Sequence, residues 1–594
     1  MLVFNKLLNK HLHKKKIIVS SFESIIIKKN HYIYAIGINS NKKFTKISTT
    51  IWILFKKIQY NSIILIHNYI QKLLILYNQN IPLIIYSANF KNFDSYFLLK
   101  TLIIMQNYDK NYLKAKIIIK HGFVYKIKIN NLVFLDSFTI LNQSFKHKII
   151  LFKNQNKCYI NKNVNLYNSL EYFLEFIKKD LKKTYLLINL TRWQLFFKYR
   201  IELTNCISIS TMSLNIFNTK FKNSLNIYKN NILIYNIICG SYLGGLSNIY
   251  NPCLKNNTIY GYDINSLYPF IMFSKPLPIG KPLIRNKKTF IDLNSFFGFI
   301  EATVILNNNQ KNNLLPIQQK SNIIQPVGYI SGVWFSEEIK MMLKNKELIS
   351  FKIHKIITFN KEILLKYFTK HFYTQRLKAS SQKQDKINKF FMNHLSGRFG
   401  LKLINNITKF IPKNELYRNE FMFICNNLHN KYHLINNVQH KNIDLKNKHS
   451  ILQSPLNISS AINAYGRCYI LDLIQFESVK GNNLLFIDTD SLYCKFKLKQ
   501  TKLHLNYLGF LKLESISKKT IFLNRNIYYF KNVLLKSSLK SKKKFFNILK
   551  IKNFTFKNFI QTLKKNKLKQ NLYSKRIYQY KKQIWKTTKT KYIK

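Results

Sequence analysis

Carboxylates are rare in this chain, so where they fall matters. Of 594 residues, 24 are Asp or Glu against 97 Lys or Arg, a formal net charge of +73. Two of the acids, Asp488 and Asp490, sit one residue apart in LLFIDTDSLYCKF. Apolar residues precede them and a strand-like SLYCKF follows, which predicts a buried strand, a tight turn and a second strand. Two carboxylates at such a turn are costly to bury unless a cation neutralises them. Mg2+ suits that role, because it takes oxygen ligands from one or two carboxylates plus substrate phosphates. Taken alone, the DTD is as readily an ordinary polar hairpin tip, since Asp is a turn former. A third acid, Asp263, lies in YGYDINSLYPFIM. There a strand-like run meets a helix start, with Asn265 or Ser266 as N-cap. Asp263 at a strand end and Asp490 at a hairpin turn would together supply a two-metal site. Such a site activates a hydroxyl and stabilises the leaving oxygen in phosphoryl transfer.

Between these acids lies QRLKASSQKQDKINKFFMNHLSGRFG, residues 375–400. Lys389 and Asn393 are four apart and share a helix face. Lys378 is eleven residues before Lys389, close to three turns, and joins that face if the helix is continuous. The face can present cations and an amide to a triphosphate. By itself it reads better as a solvated charged surface, the usual fate of Lys on a helix.

The elements that must position these groups are legible from pattern. Residues 1–185 alternate short apolar runs with helix-like stretches at 53–77 and 166–187, an α/β pattern. A Gly cluster, GSYLGGLSN at 240–248, marks a linker or a backbone-contact loop. TIYGYDI reads as a strand and SLYPFIMF as a helix. Residues 275–360 hold half of the prolines and read as strands and turns. Residues 361–396 and 456–478 read as helical, 402–450 as hairpins or loops, and 483–497 as a hairpin.

Composition excludes several classes. Hydrophobic residues make up 46%, too many for a disordered basic tail. The seven cysteines are scattered without CxxC spacing, which argues against a disulfide scaffold and for free thiols in a reducing compartment. No apolar run of 18 residues escapes charges or clustered polar residues, so no membrane span is expected. The net charge points to a polyanionic partner, nucleic acid first. Part of the Lys excess reflects A/T-rich codon usage, together with abundant Ile, Asn, Phe and Tyr, and this hints at an organellar or plasmid-borne gene.

The order of segments resembles the protein-primed family B DNA polymerases of bacteriophages and mitochondrial linear plasmids. DINSLYP at 263–269 is similar to the first palm motif, KFFMNHLSGRFG at 389–400 to the fingers motif and DTDS at 488–491 to the second palm motif. YLGG at 242–245 is similar to the YxGG loop between exonuclease and polymerase domains. The resemblance implies a mixed α/β fold: an RNase H-like exonuclease-type domain, then a right-hand polymerase of palm, fingers and thumb with two insertions. Residues 1–187 would be the exonuclease-like domain, and 188–245 a connector ending in the loop. Palm parts would occupy 246–274 and 456–530, and fingers 361–401. An insertion contacting a priming protein would occupy 275–360, one aiding strand displacement 402–455, and a thumb with a basic tail 531–594.

The resemblance also implies roles. Asp263 and Asp490 would hold two Mg2+ ions, with Mn2+ as an alternative, assisted by the Ile264 carbonyl and supported by Asp488. Tyr268 would lie under the deoxyribose and exclude a 2′-hydroxyl. Lys378, Lys389 and Asn393 would hold the incoming dNTP. Tyr242, Gly244 and Gly245 would contact template DNA. Two departures mark the fingers motif: His394 and Ser396 stand where the family has Ser and Tyr. After DTDS the family's KxY becomes RNIYY, with Arg525 and Tyr528 as the DNA-binding candidates and Asn526 at the Lys position.

In the N-terminal region, Asn89 and Asp94 match the second exonuclease motif and Asp180 the third, where Phe176 replaces Tyr. The first motif keeps Glu23 but has Ser21 where Asp belongs. A serine cannot replace a bridging carboxylate at a two-metal centre, so proofreading is expected to be weak or absent. The resemblance further implies DNA template and primer as partners and a separate terminal protein as primer. It implies a DNA-directed DNA polymerase, a nucleotidyltransferase, in the mitochondrion, with a cytoplasmic plasmid or phage as the alternative setting. The competing reading from another class is a catalytically decayed basic nucleic-acid-binding protein of polymerase ancestry. Survival of Asp263, Asp488 and Asp490 in an acid-poor chain favours the enzyme.

Overall fold

The structure is a computed structural model. It describes residues 16–27, 30–40, 49–53, 58–76, 82–108, 115–120, 123–141, 166–222, 232–250, 253–286, 295–307, 315–319, 322–380, 382–401, 406–412, 432–435, 438–444, 455–476, 484–498, 503–504, 507–524, 527–530, 576–579 and 584–587. The chain divides into two compact units. The first comprises 1–222, 375–394 and 404–449, and the second 223–374, 395–403 and 450–594.

The first unit is built on a seven-stranded sheet. Its strands are β1 (Lys16–Ile27), β2 (Asn30–Asn39), β3 (Thr49–Ile53), β4 (Leu83–Ser87), β5 (Ala115–Lys120), β6 (Phe123–Ile129) and β7 (Leu132–Asp136), in the order β3-β2-β1-β4-β7-β6-β5. β1, β4 and β7 run parallel and the flanking pairs antiparallel. Parallel strands buried on both faces need continuous apolar sequence, and LIIYS and LVFLD are buried throughout. Helix α1 (Ile58–Leu76) sends Leu65, Ile66, Tyr69, Ile70 and Leu73 into the core beside Phe22, Phe90 and Phe134. This helical spacing forms one apolar stripe. Helix α2 (Asp94–Tyr108) adds Leu98 and Leu102. The long α3 (Leu166–Tyr199) packs closely on β2. A Cβ at Gly37 would stand 2.7 Å from Leu181 and 2.9 Å from Ile177, so that approach requires glycine. The first unit also holds α4 (Ile209–Ile216).

The second unit carries the segments rich in chemistry. It begins with α5 (Ile232–Ser241), β8 (Ser247–Ile249), β9 (Cys253–Ile264) and α6 (Leu267–Ser274). The proline-rich region forms β10 (Leu277–Asn286), β11 (Gly298–Leu306), the short hairpin β12 (Ile317–Gln319) and β13 (Asn322–Ile324), β14 (Val327–Phe335), α7 (Ser336–Lys344) and β15 (Leu348–Glu362). Helix α8 (Lys366–Leu377) follows, while most of α9 (Gln382–Phe399) belongs to the first unit. Residues 402–450 contribute a three-stranded sheet to the first unit, made of β16 (Asn406–Pro412), β17 (Tyr432–Ile435) and β18 (Val438–Asp444), as their hairpin-like sequence predicts. Helix α10 (Leu456–Phe476), β19 (Leu484–Asp488), β20 (Ser491–Cys494), β21 (Leu511–Asn524) and β22 (Ile527–Phe530) complete the part that positions the site.

Strands β22-β21-β9-β20-β19-β8 form one antiparallel sheet. A second sheet runs β10-β15-β11-β14 and continues into β23 (Arg576–Gln579) and β24 (Ile584–Thr587). Helix α10 is buried on almost every side and packs against α5, α6, α7 and β10. That explains a sequence apolar all round rather than along one stripe.

Candidate active site

Strand register assembles the acids of the second unit. In the β9–β20 pair Asp263 faces Ser491, and in the β19–β20 hairpin Asp488 also faces Ser491. Ser491 therefore sits between two acids on adjoining strands, and its hydroxyl donates to Asp263 Oδ1 at 3.1 Å. The hairpin turn is held from three sides. The Asp490 N–H donates to the Asp488 carbonyl at 2.7 Å, the Thr489 N–H to the Leu246 carbonyl at 2.7 Å, and the Ile264 N–H to the Asp490 carbonyl at 2.8 Å. Thr489 adopts φ 61, a left-handed conformation that a β-branched residue takes only when its surroundings impose it. All three aspartates are half-buried.

Among the described residues no group of three His, Cys, Asp or Glu already converges as a closed metal cage. The donor set nonetheless fits Mg2+. Asp263, the Ile264 carbonyl and Asp490 are oxygen donors tied together by one backbone hydrogen bond, and an ion using few protein ligands leaves coordination sites for phosphates.

Asn265 and Ser266 do not cap α6 as the sequence predicts. Ser266 occupies the N-cap position at φ 54 without a side-chain cap bond, and Asn265 donates its amide to the His504 carbonyl instead. The left-handed turn redirects the chain from the end of β9 into α6, and so sets Tyr268 one turn beyond Asp263. Burial pushes the Tyr268 phenol up to about 12; Arg467 opposes the rise, while Asp490 and Tyr242 add to it. The phenol stays neutral at physiological pH. Helix α10 lies alongside it, since a Cβ at Gly466 would stand 3.5 Å from Tyr268 Cε1.

The loop at 242–245 is fixed by α10. Arg467 donates to the carbonyls of Leu243 at 3.0 Å and Gly244 at 2.8 Å, and the Asn463 amide to Leu243 at 2.8 Å. Tyr242 is half-buried and packs on Gly400, where a Cβ would collide with its hydroxyl. Gly244 is exposed. Arg467 is almost fully buried and ion-paired with Glu338, which is equally buried, at 2.8 Å. Glu338 uses its other oxygen to cap α7, accepting from the Phe335 N–H at 3.2 Å. Burial pushes the Glu338 carboxyl up, and the neighbouring guanidinium opposes that.

The sequence reading missed Arg467, Glu338, Ser491 and Lys512, which faces Asp263 from the β21 side. A lone arginine inside the apolar run AINAYGRCYILDLI was the available signal, because a buried charge requires a partner.

Lys378, Lys389 and Asn393 lie in the first unit and are all exposed. The continuous helix that would align Lys378 with Lys389 is not observed. Helix α8 ends at Leu377 and α9 starts at Gln382. The Ala379 N–H turns back to the Arg376 carbonyl, and Arg376 pairs with Asp385 at 2.5 Å across the break. Ala379 and Ser380 lie outside both helices, and serine favours such breaks because its hydroxyl offers the backbone an alternative partner. His394 lies against Ser210 of α4, with Nδ1 and Oγ 3.4 Å apart, and burial holds its imidazole below the usual range. Arg525 and Asn526 lie outside the described residues, and Tyr528 falls in β22 with its side chain outside them.

In the first unit, Ser21 on β1 donates to Glu23 Oε1 at 2.6 Å. The Ser87 hydroxyl donates to buried Asp94, the first residue of α2. Asn89 sits between β4 and α2 at φ 65, and Asp180 is half-buried on α3. The sequence reading also missed Asp136. It ends β7 in register with Ser87, and its carboxylate accepts the N–H groups of Lys91 and Phe138.

The two sheets and their helices define a fold shared with solved polymerases. Phi29 DNA polymerase complexed with primer-template DNA and incoming nucleotide substrates superposes with a TM-score of 0.64 at 16% identity, over 94% of this chain and 96% of that one. An orthorhombic crystal form of Phi29 DNA polymerase gives 0.65 at 14% identity, over 92% and 95%. The sequence matches the family described as DNA polymerase type B, organellar and viral, over residues 145–478, more than half of the chain; the chain belongs to that family. Proteins described as probable DNA polymerases are similar to it. That of Podospora anserina is 28% identical, over 64% of this chain and 33% of its own length. That of Ascobolus immersus is 25% identical, over 75% and 40%. That of Agaricus bitorquis is 25% identical, over 65% and 51%. The chain thus spans a third to a half of the length of these curated relatives. No helix among the described residues is long and apolar enough to cross a membrane.

Proposed function

We propose that this chain is a DNA-directed DNA polymerase that extends a primer with dNTPs by two-metal phosphoryl transfer. The observation that carries the reading is the hydrogen bond between Ile264 and Asp490, which joins the end of β9 to the DTD turn and brings Asp263 and Asp490 to one end of the sheet. Asp263, the Ile264 carbonyl and Asp490 would hold two Mg2+ ions, and Asp488 would support the turn. When bound, the ions would lower the pKa of the primer hydroxyl and neutralise charge on the triphosphate. Ser491 orients the Asp263 carboxylate through its hydrogen bond. Tyr268, neutral and held beside α10, forms the floor under the incoming sugar and leaves no room for a 2′-hydroxyl. Lys378, Lys389 and Asn393 supply cations and an amide for the triphosphate. The exposed Gly244 offers its backbone N–H to the template phosphates, with Tyr242 and Gly245 beside it. Arg525 and Tyr528 complete the DNA contacts.

Protein-primed initiation with a separate terminal protein, replication of a linear plasmid and a mitochondrial setting belong to the same reading. The organellar and viral family and the fungal relatives support it. Residues 275–360 and 402–455 are the proposed insertions, for the priming protein and for strand displacement. The N-terminal unit would keep the exonuclease-type fold without proofreading, because Ser21 offers Glu23 a hydroxyl where a second carboxylate is needed. Extension of a labelled primer on a defined template with Mg2+ and the complementary dNTP tests the assignment. Templated incorporation that disappears in Asp263→Asn supports it, and incorporation indifferent to that substitution defeats it.

A further inference from the structure

We infer that Gly245 is a positioning residue for the metal-binding turn rather than only a template contact. Thr489 separates the two aspartates of the turn and is held at φ 61. Its conformation is imposed from the 242–246 loop. Its N–H is spent on the Leu246 carbonyl at 2.7 Å, and its side chain lies directly on Gly245. A Cβ at Gly245 would stand 2.6 Å from Thr489 Cγ2 and 3.2 Å from both Cβ and Oγ1. No far end of a flexible chain is available to yield there, because Thr489 is short, β-branched and fixed at its backbone. The next residues continue the connection as strand, with Ser247 paired to Asp488. The loop is in turn anchored to buried Arg467 and Asn463 through the carbonyls of Leu243 and Gly244. One contiguous path therefore runs from α10 through Gly245 to Asp488 and Asp490. Gly244, exposed one residue earlier, faces no such neighbour: a Cβ there meets only Ile323 at 3.6 Å. The two glycines of YLGG thus serve different purposes, Gly244 for access to the backbone and Gly245 for the geometry of the carboxylates.

This inference rests on the polymerase reading for the identity of the metal site, and its test separates the two. Mn2+ binding is measured by electron paramagnetic resonance on the full chain with a dideoxy-terminated primer–template and the next dNTP. Gly245→Ala is expected to weaken Mn2+ binding by about tenfold, and adding Thr489→Gly, which removes the obstructing atoms, to restore it to within about threefold, the non-additivity expected of residues in contact. Wild-type affinity in Gly245→Ala, or no recovery in the double variant, overturns the inference even where the wild type extends primers. If the wild type fails to extend primers yet shows the Gly245 and Thr489 pattern, the polymerase reading falls and the coupling between loop and turn stands.

Discussion

Ile264 donates its backbone N–H to the carbonyl of Asp490 across 2.8 Å, so residues more than two hundred positions apart in sequence share one hydrogen bond. Asp263 and Asp490 flank that bond at strand ends, just beyond the buried residues of β19 and β20. The proposed chemistry depends on this junction, and the surrounding structure maintains it.

The Arg467–Glu338 pair is the most deeply buried support of the site. Removing one charge leaves the other uncompensated, so Glu338→Ala or Arg467→Ala is expected to cost about 3–5 kcal/mol in urea unfolding. The double change Glu338→Leu with Arg467→Met is expected to recover much of that stability, because well-packed apolar residues often replace a buried pair without loss. It would still release the carbonyls of Leu243 and Gly244, so template binding should stay weakened. Equal stability of the single and double variants would contradict this.

Stability should also fall as pH rises through neutrality. Burial raises the Glu347 carboxyl from 4.5 to about 7, and its Oε2 lacks a hydrogen-bond partner. The folded state therefore binds a proton that the unfolded state releases between pH 4.5 and about 7. Relative to high pH, this contribution is fully present below 4.5 and is lost as pH passes the folded value. Glu347→Gln should flatten that part of the stability–pH curve measured by urea unfolding. An unchanged slope would show that the carboxyl is not the responsible group.

The N-terminal unit should not degrade single-stranded DNA from the 3′ end. Ser21 offers Glu23 a hydroxyl, and Ser87 occupies Asp94. Asp94→Ala should leave digestion at its low wild-type level while destabilising the fold by about 1–3 kcal/mol, the cost of stranding a buried hydroxyl. Strong digestion by the wild type that Asp94→Ala removes would reverse the assignment.

Much of the fold was legible because burial writes periodicity into sequence. The strands LIIYS, LVFLD and LLFID, the turn at DTDS and the helix over 456–478 follow from apolar runs and punctuation. Asp263 and the DTD acids stood out because the chain has few carboxylates. Other features depended on tertiary contacts that local pattern does not carry. Ser266 looked like a helix cap and is a left-handed turn residue. Lys378 looked aligned with Lys389 until the break after Leu377 and the Arg376–Asp385 pair intervened. Arg467 was visible as an oddity in an apolar helix, but Glu338 lies 129 residues away, beyond any local signal. Asp136 gave no sequence signal of its own, and only the register with Ser87 places it beside Asp94.

The most direct test of the central claim compares wild type with Asp490→Asn in single-turnover primer extension with Mg2+ and the templated dNTP. Templated incorporation by the wild type is expected, with a loss of about a thousandfold or more in the variant, since metal charge stabilisation is worth several kcal/mol at roughly 1.4 kcal/mol per tenfold. Equal rates in the two proteins, or no incorporation by either, would contradict it.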